Sequence, residues 1–169
     1  MGSRLDFRAP LVGPGLAIAL LTAQVVAPHR ALAAAPQAPE AMVADVYHHL
    51  IAAETGSQGY GPPETFYTPH LKALVAAARR AAKGEAACGL DFIFWFNGQD
   101  DRITQLVVTR GPTTPAGRTT VTATFHNMED PEKIVFDFQK IRGRWLLDDA
   151  HSLVGDSQWT FSRLLQCKD

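Results

Sequence analysis

The sequence lacks the short motifs that identify the commonest enzyme classes. It contains no glycine-rich phosphate loop, no paired CxxC, no HExxH and no GxSxG. Each of these motifs would place a phosphate cradle, a redox pair, a metal ligand or a nucleophile at a fixed spacing. The sequence therefore predicts compartment and architecture more clearly than it predicts an activity, and it points to no cofactor and no metal.

The sequence also has little excess charge of either sign. The formal net charge is -1 over 169 residues, and 46% of the residues are hydrophobic. A protein that binds nucleic acid through its general surface carries a clear positive charge, so we expect no nucleic-acid partner. The hydrophobic content is that of a globular protein, and the length fits one domain.

Long apolar stretches are confined to the N-terminus. Arg4 and Arg8 precede an uncharged stretch at residues 11–27, and small residues follow at 31–35. This order is typical of a secretory signal peptide. The alternative is an uncleaved membrane anchor, although the stretch is short for a bilayer span and contains glycine and proline. We predict a signal peptide over 1–35, cleaved near Ala33 to Ala35.

Cleavage there would leave a periplasmic or secreted product with no stable membrane insertion. Residues 36–39 read as a linker, and 40–169 as a single domain. This domain contains the only two cysteines, Cys88 and Cys167. Disulfides persist in oxidising compartments, and an even count permits one bridge. We predict that Cys88 and Cys167 are bridged; the alternative is two independent buried thiols.

The pattern of apolar residues changes from a helical period to a period of two along the domain. Helical spacing predicts one helix over 40–53 and a second that begins at Thr68 and Pro69. Alternation then predicts four strands joined by turns at 111–117, 130–132 and 142–143, and a short helix over 157–167. The fold class is therefore α+β, with two helices packed on a curved four-stranded antiparallel sheet. Such an arrangement commonly leaves a cone-shaped pocket.

The most distinctive segment is residues 91–101, in which four aromatic residues are bracketed by acids. We expect the aromatic side chains to pack the loop onto the core, with Gln99 and Asp100 capping backbone groups. If the segment is extended, Phe92, Phe94 and Phe96 share one face. The alternative is a pocket lip or a cation site that includes Asp91 and Asp100.

Three residues are candidates for general acid or base chemistry. Asp149 and His151 lie at the end of the last strand, and His126 lies on the threonine-bearing face of a strand two positions away. A carboxylate beside an imidazole in a pocket can act as a general base. Hydrogen-bonded residues at a strand edge are the simpler interpretation.

Three segments resemble a bacterial exported family, the domain-of-unknown-function family 3828. They are residues 66–71 (FYTPHL), 91–100 (DFIFWFNGQD) and 145–149 (WLLDD). The resemblance implies an α+β fold similar to nuclear-transport-factor-like or cystatin-like folds, and no established activity. Only Asp91, Gln99 and Asp100 carry over, as motif positions of unknown role. The chain has Ile93 and Phe94 where the family motif has Asp and Pro, which weakens a cation site.

Two functions follow from these observations. The first is a non-catalytic binding module for a small molecule or an envelope protein. The alternative is a small cone-fold hydrolase or isomerase that uses a pocket His/Asp pair. A purely structural role in the envelope is a third possibility. A pocket filled by aromatic side chains would favour the first function, and an Asp and a His converging in an open apolar pocket would favour the second.

Overall fold

The computed structural model describes residues 37–53, 64–83, 90–100, 102–154 and 158–166. The predicted signal peptide, Cys88 and Cys167 lie outside these residues. The described elements are α1 (Pro39–Ala52), a 3-10 turn (Glu64–Phe66), α2 (Pro69–Ala82), β1 (Ile103–Arg110), β2 (Arg118–Asn127), β3 (Asp130–Ile141), β4 (Arg144–Ser152), β5 (Trp159–Thr160) and α3 (Phe161–Leu164). The α+β class is thereby confirmed.

The two long helices form where their periodicity predicts them. The apolar stripe of α1 is buried through Leu50, whereas Ile51, the residue after it, is 46% exposed. Thr68 caps α2, because its Oγ1 accepts the Leu71 N–H at 3.2 Å. Helix α1 packs on β1 and β2, and α2 packs on β4.

The strands form one antiparallel sheet in the order β1-β2-β3-β4-β5. The sequence predicts four strands; the fifth, β5, is only two residues long and pairs with the end of β4. The predicted helix over 157–167 is therefore wrong in its first part and reduces to α3. A two-residue strand has no alternation of its own, which is why the pattern does not show it.

One predicted turn lies in a different place. The β2–β3 turn is at Met128 and Glu129, with Met128 at φ 59°, and β3 already begins at Asp130. Pro131 is paired with His126, one position beyond the pair that flanks the turn. That position is non-hydrogen-bonded in a two-residue hairpin, so proline removes no ladder bond there. The prediction of a turn at 130–132 is wrong for this reason.

The sheet has an inner face under the helices and an outer face on the opposite side. Val121, Ala123 and Phe125 of β2 are buried on the inner face, while Thr120, Thr122, Thr124 and His126 are partly exposed on the outer face. The predicted alternation of β2 is confirmed. The strand β3 continues both faces, since Val121 lies opposite Phe136 and Thr120 lies opposite Asp137.

The aromatic segment at 90–100 closes the inner face. Trp95 stacks on Phe136 with ring centroids 4.6 Å apart, and Phe94 stacks on Phe161 at 4.2 Å. Phe94, Trp95 and Phe96 are all buried. The core-packing interpretation of this loop is thus confirmed. The expected sharing of faces is wrong, because Ile93 N–H donates to Gly98 O at 2.8 Å and closes a tight turn instead of an extended segment.

Candidate functional site

The structure brings a histidine and an aspartate together on the outer face of the sheet. His151 of β4 lies opposite Val135, which is two residues from Asp137 along β3. The His151 Nδ1 atom is 3.3 Å from the Asp137 Oδ2 atom, and the two side chains are 25% and 39% exposed. A carboxylate at one ring nitrogen orients the imidazole and leaves the other nitrogen for another contact.

The Asp137 carboxyl has an unusual electrostatic environment. Burial raises its pKa above the ordinary value, His151 opposes the rise, and the carboxylates of Asp149 and Asp148 add to it. Repulsion between neighbouring carboxylates and partial desolvation both disfavour the ionised form. Asp137 is therefore the member of this group that holds a proton more readily than an isolated aspartate does.

The predicted candidate Asp149 is engaged in holding α3. Its Oδ1 accepts the N–H groups of Ala150 and Ser162, each at 2.9 Å, and its Oδ2 accepts the Ser162 hydroxyl at 2.6 Å. Asp148 is engaged in a similar way: it accepts the Thr68 hydroxyl at 2.8 Å and lies 3.5 Å from an Arg118 Nη1. Asp149 is thus a structural anchor and not the partner of His151.

The third candidate, His126, lies apart from the other two. His126 of β2 pairs with Pro131 of β3. His151 of β4 pairs with Val135 of β3, and Val135 pairs in turn with Thr122 of β2. The four-residue offset and the intervening strand separate the two imidazoles by on the order of 15 Å. The Nδ1 atom of His126 is buried and has no hydrogen-bond partner in the described part of the chain. The structure therefore does not unite His126 with Asp149 and His151.

The motif positions of the aromatic loop have backbone roles. Gln99 Nε2 donates to the Asp91 carbonyl oxygen at 3.1 Å, so Gln99 caps the loop as expected. Asp100 contributes its carbonyl oxygen, which accepts Asn127 Nδ2 at 3.1 Å. Among the described residues neither the Asp91 nor the Asp100 carboxylate has a hydrogen-bond partner. The capping role expected for the Asp100 carboxylate belongs to Asn127.

A large cleft lies between the end of β4, β5 and α3. We call it the β4–β5 cleft; its volume is about 670 Å³, and it is lined by His151, Ser152, Leu153, Gln158, Trp159, Thr160, Arg163, Leu164 and Gln166. This volume is within the range of small-molecule sites. Among the described lining residues there is no carboxylate, and Arg163 is the one permanent cation.

Two polar groups of this cleft lack partners within the described part of the chain. The Arg163 guanidinium makes no ion pair or hydrogen bond there. Ser152 is 1% exposed, and its Oγ has no hydrogen-bond partner. The Trp159 indole, by contrast, is fixed, because its Nε1 donates to Asn97 Oδ1 at 2.7 Å. The cleft combines a rigid aromatic wall with unpaired donors.

Sequence reasoning missed Asp137, Asn127 and Arg163. Asp137 interrupts an otherwise apolar run at 134–138, and an acid on the outward position of such a strand is a usable signal. Asn127 and Arg163 have no such signal. Asn127 bonds to backbone groups, which no sequence pattern records. Arg163 lines a cleft that forms only when β5 pairs with β4.

No family model, curated protein or solved structure matches the chain. The resemblance to the exported family therefore stays a prediction. The function has to be argued from the chemistry of the site.

Two further observations concern metals and membranes. Within the described ranges, no three or more histidine, cysteine or acidic side chains are grouped closely enough to hold a metal ion. Across those same ranges, no helix has the length and apolar character needed to cross a bilayer.

Proposed function

We propose that the protein is an exported, non-catalytic binding module that holds a small ligand in the β4–β5 cleft. The observation that carries this proposal is the unpaired Arg163 guanidinium in a cleft of about 670 Å³. Arg163 is exposed, so its guanidinium is accessible to a ligand that enters the cleft. We further propose the family relationship, the cone-like form of the fold and the export of the mature chain on the sequence patterns described above.

The inner face supports this location. Phe94, Trp95 and Phe96 are all buried and belong to the core cluster between the sheet and the helices. The Tyr47 hydroxyl secures the plug by donating to the Trp95 carbonyl oxygen at 2.6 Å. A ligand site of this chain is therefore expected on the β4–β5 side and not in the interior.

Screening a small-molecule library by amide chemical shifts tests the proposed site. We expect the compounds that bind to shift the amides of Thr160, Arg163 and Leu164. Hits that shift only amides of α1 or of the β1–β2 turn, or the absence of hits, would overturn the proposal.

Sequencing the N-terminus of the exported product tests the compartment, since a product that retains Met1 contradicts it.

A second candidate function rests on the His151–Asp137 contact of 3.3 Å. An imidazole oriented by a carboxylate can act as a general base in ester hydrolysis or in an isomerisation. The test is the hydrolysis of p-nitrophenyl esters by the wild type, His151→Gln and the control His126→Gln. Loss of turnover in His151→Gln alone would support this function, and equal rates in all three proteins would exclude it.

A further inference from the structure

We infer that the ligand of the β4–β5 cleft is a carboxylate attached to an apolar body. This inference rests on the proposed function and specifies its ligand class. It follows from three properties of the described lining: the sign of its charge, the number of its charged donors and the position of its apolar side chains.

The sign of the charge favours an anion. Arg163 is the one permanent cation of the described lining, and no carboxylate there neutralises it. Two described acids of the adjoining strands are already engaged: Asp149 accepts three hydrogen bonds from Ala150 and Ser162, and Asp137 faces His151. An anion entering the cleft therefore meets a guanidinium that has no partner among the described residues.

The number of charged donors favours a carboxylate. A guanidinium presents a planar fork that matches the two oxygens of one carboxylate. The other donors of the described lining are the His151 imidazole, whose Nδ1 faces Asp137, the Trp159 indole, which donates to Asn97, and neutral amides and hydroxyls.

The apolar walls favour a ligand with an apolar body. Trp159 and Leu164 line the cleft, and Leu153, which is 53% exposed, lies at its margin. An exposed leucine beside a fixed indole offers contact to a hydrocarbon chain or ring. A bare inorganic anion would leave these side chains in water, so its affinity would be lower.

The test is a titration of the full chain with three probes: hexanoate, acetate and hexanol. Acetate lacks the apolar body, and hexanol lacks the charge. The amide shifts of Thr160, Arg163 and Leu164 report occupancy. Two variants are compared with the wild type: Arg163→Gln, and Arg144→Gln as a matched loss of an exposed arginine at the opposite end of β4.

We expect hexanoate to bind more tightly than either other probe. Arg163→Gln should weaken hexanoate at least about tenfold, the lower end for a charge-assisted pair, and leave hexanol unchanged. Arg144→Gln should behave as the wild type does. Hexanol binding as tightly as hexanoate, or hexanoate binding that Arg163→Gln does not weaken, would overturn the ligand class and leave the proposed cleft standing. If no probe shifts these amides at millimolar concentration, both proposals fall.

Discussion

Asn127 lies at the end of β2, 8% exposed, and its side chain joins three backbone groups. Its Nδ2 donates to the carbonyl oxygens of Phe96 and Asp100, each at 3.1 Å, and its Oδ1 accepts the Arg102 N–H at 2.9 Å. A single amide thus ties the second half of the aromatic loop, from Phe96 to Arg102, to the end of β2. Because the partners are backbone groups, no sequence pattern around them identifies the contact.

Removing this amide leaves buried backbone groups without partners. We expect Asn127→Ala to lower the free energy of unfolding by about 2 to 3 kcal/mol, since each orphaned buried group is costly. Asp100→Asn is the control, because only its carbonyl oxygen is used, and it should stay within about 0.5 kcal/mol of the wild type. Urea denaturation measures both. An equal loss in the two variants would contradict the role assigned to Asn127.

Glu132 is a half-buried carboxylate whose Oε2 accepts Asn97 Nδ2 at 3.1 Å. Burial raises the pKa of Glu132, the Asn97 hydrogen bond opposes the rise, and Asp130 adds to it. A raised native pKa means that the folded protein binds the proton more tightly than the unfolded chain does. This contribution to stability is therefore lost as the pH rises from the pKa of a glutamate in the unfolded chain, about 4.3, through the higher pKa of Glu132 in the folded protein.

We accordingly expect Glu132→Gln to gain stability relative to the wild type between about pH 4 and pH 7. Glu129→Gln, which removes an exposed carboxylate from the turn of the same hairpin, is the control. Urea midpoints at a series of pH values give the answer. The same trend in both variants would show that general charge, and not the burial of Glu132, is responsible.

At the scale of elements, the aromatic loop is the part of the chain whose packing most affects the site. Its Trp95 contacts Tyr47 of α1 and Phe136 of β3, and Phe92 and Phe94 contact Trp159 of the cleft, with ring centroids 5.6 and 6.2 Å apart. The loop therefore supports the wall of the β4–β5 cleft from behind. Loss of its packing should loosen both the core and the cleft.

Trp95→Ala tests this packing. Trp95 is 3% exposed, stacks on Phe136 and meets Tyr47 edge to face at 6.0 Å. We expect a loss of about 3 to 5 kcal/mol in the free energy of unfolding, the range for emptying a buried aromatic site. Phe92→Ala should lose less, because Phe92 is only half-buried. Midpoints unchanged from wild type in Trp95→Ala would refute the packing role.

The elements that sequence could predict are those with a period of their own. Helices α1 and α2 and strands β1 to β4 each carry a stripe or an alternation, and the Thr68 cap is visible as a Thr-Pro pair. The strand β5 and the tight turn at 93–98 depend on contacts made with other parts of the chain, which single-sequence patterns do not record. The sequence therefore predicts that the aromatic residues of that turn are buried, but it does not predict which face each side chain occupies.

The same distinction explains the candidate site. His151 is visible at the end of an alternating strand, but its partner depends on the β3–β4 register, which shifts between Asp137 and Phe138. A β-bulge of this kind moves one strand past the other by a residue and changes which side chains meet. Because the sequence does not show this register shift, it suggests Asp149, two residues before His151 on the same strand, as the partner of His151.

At the scale of the whole molecule, the described core joins α1, α2, the aromatic loop, the sheet and α3 in one cluster of buried residues. The chain ends shortly after α3, where Leu165 is 4% exposed and belongs to this cluster. Four residues follow it, and Cys167 is among them. A covalent link from this tail to the segment after α2 would fasten the last element of the core.

The predicted Cys88–Cys167 bridge is such a link, and it stays a prediction because both cysteines lie outside the described residues. Closing a loop that spans most of the sheet would stabilise the fold by about 4 kcal/mol in the chain-entropy model. We expect Cys167→Ser to lower the free energy of unfolding by about 2 to 4 kcal/mol, and the same chain under reducing conditions to show no difference from the reduced wild type. Thiol titration of the unfolded, unreduced protein measures the bridge directly. Two free thiols per chain would end the prediction, and they would also remove one reason to place the protein in an oxidising compartment.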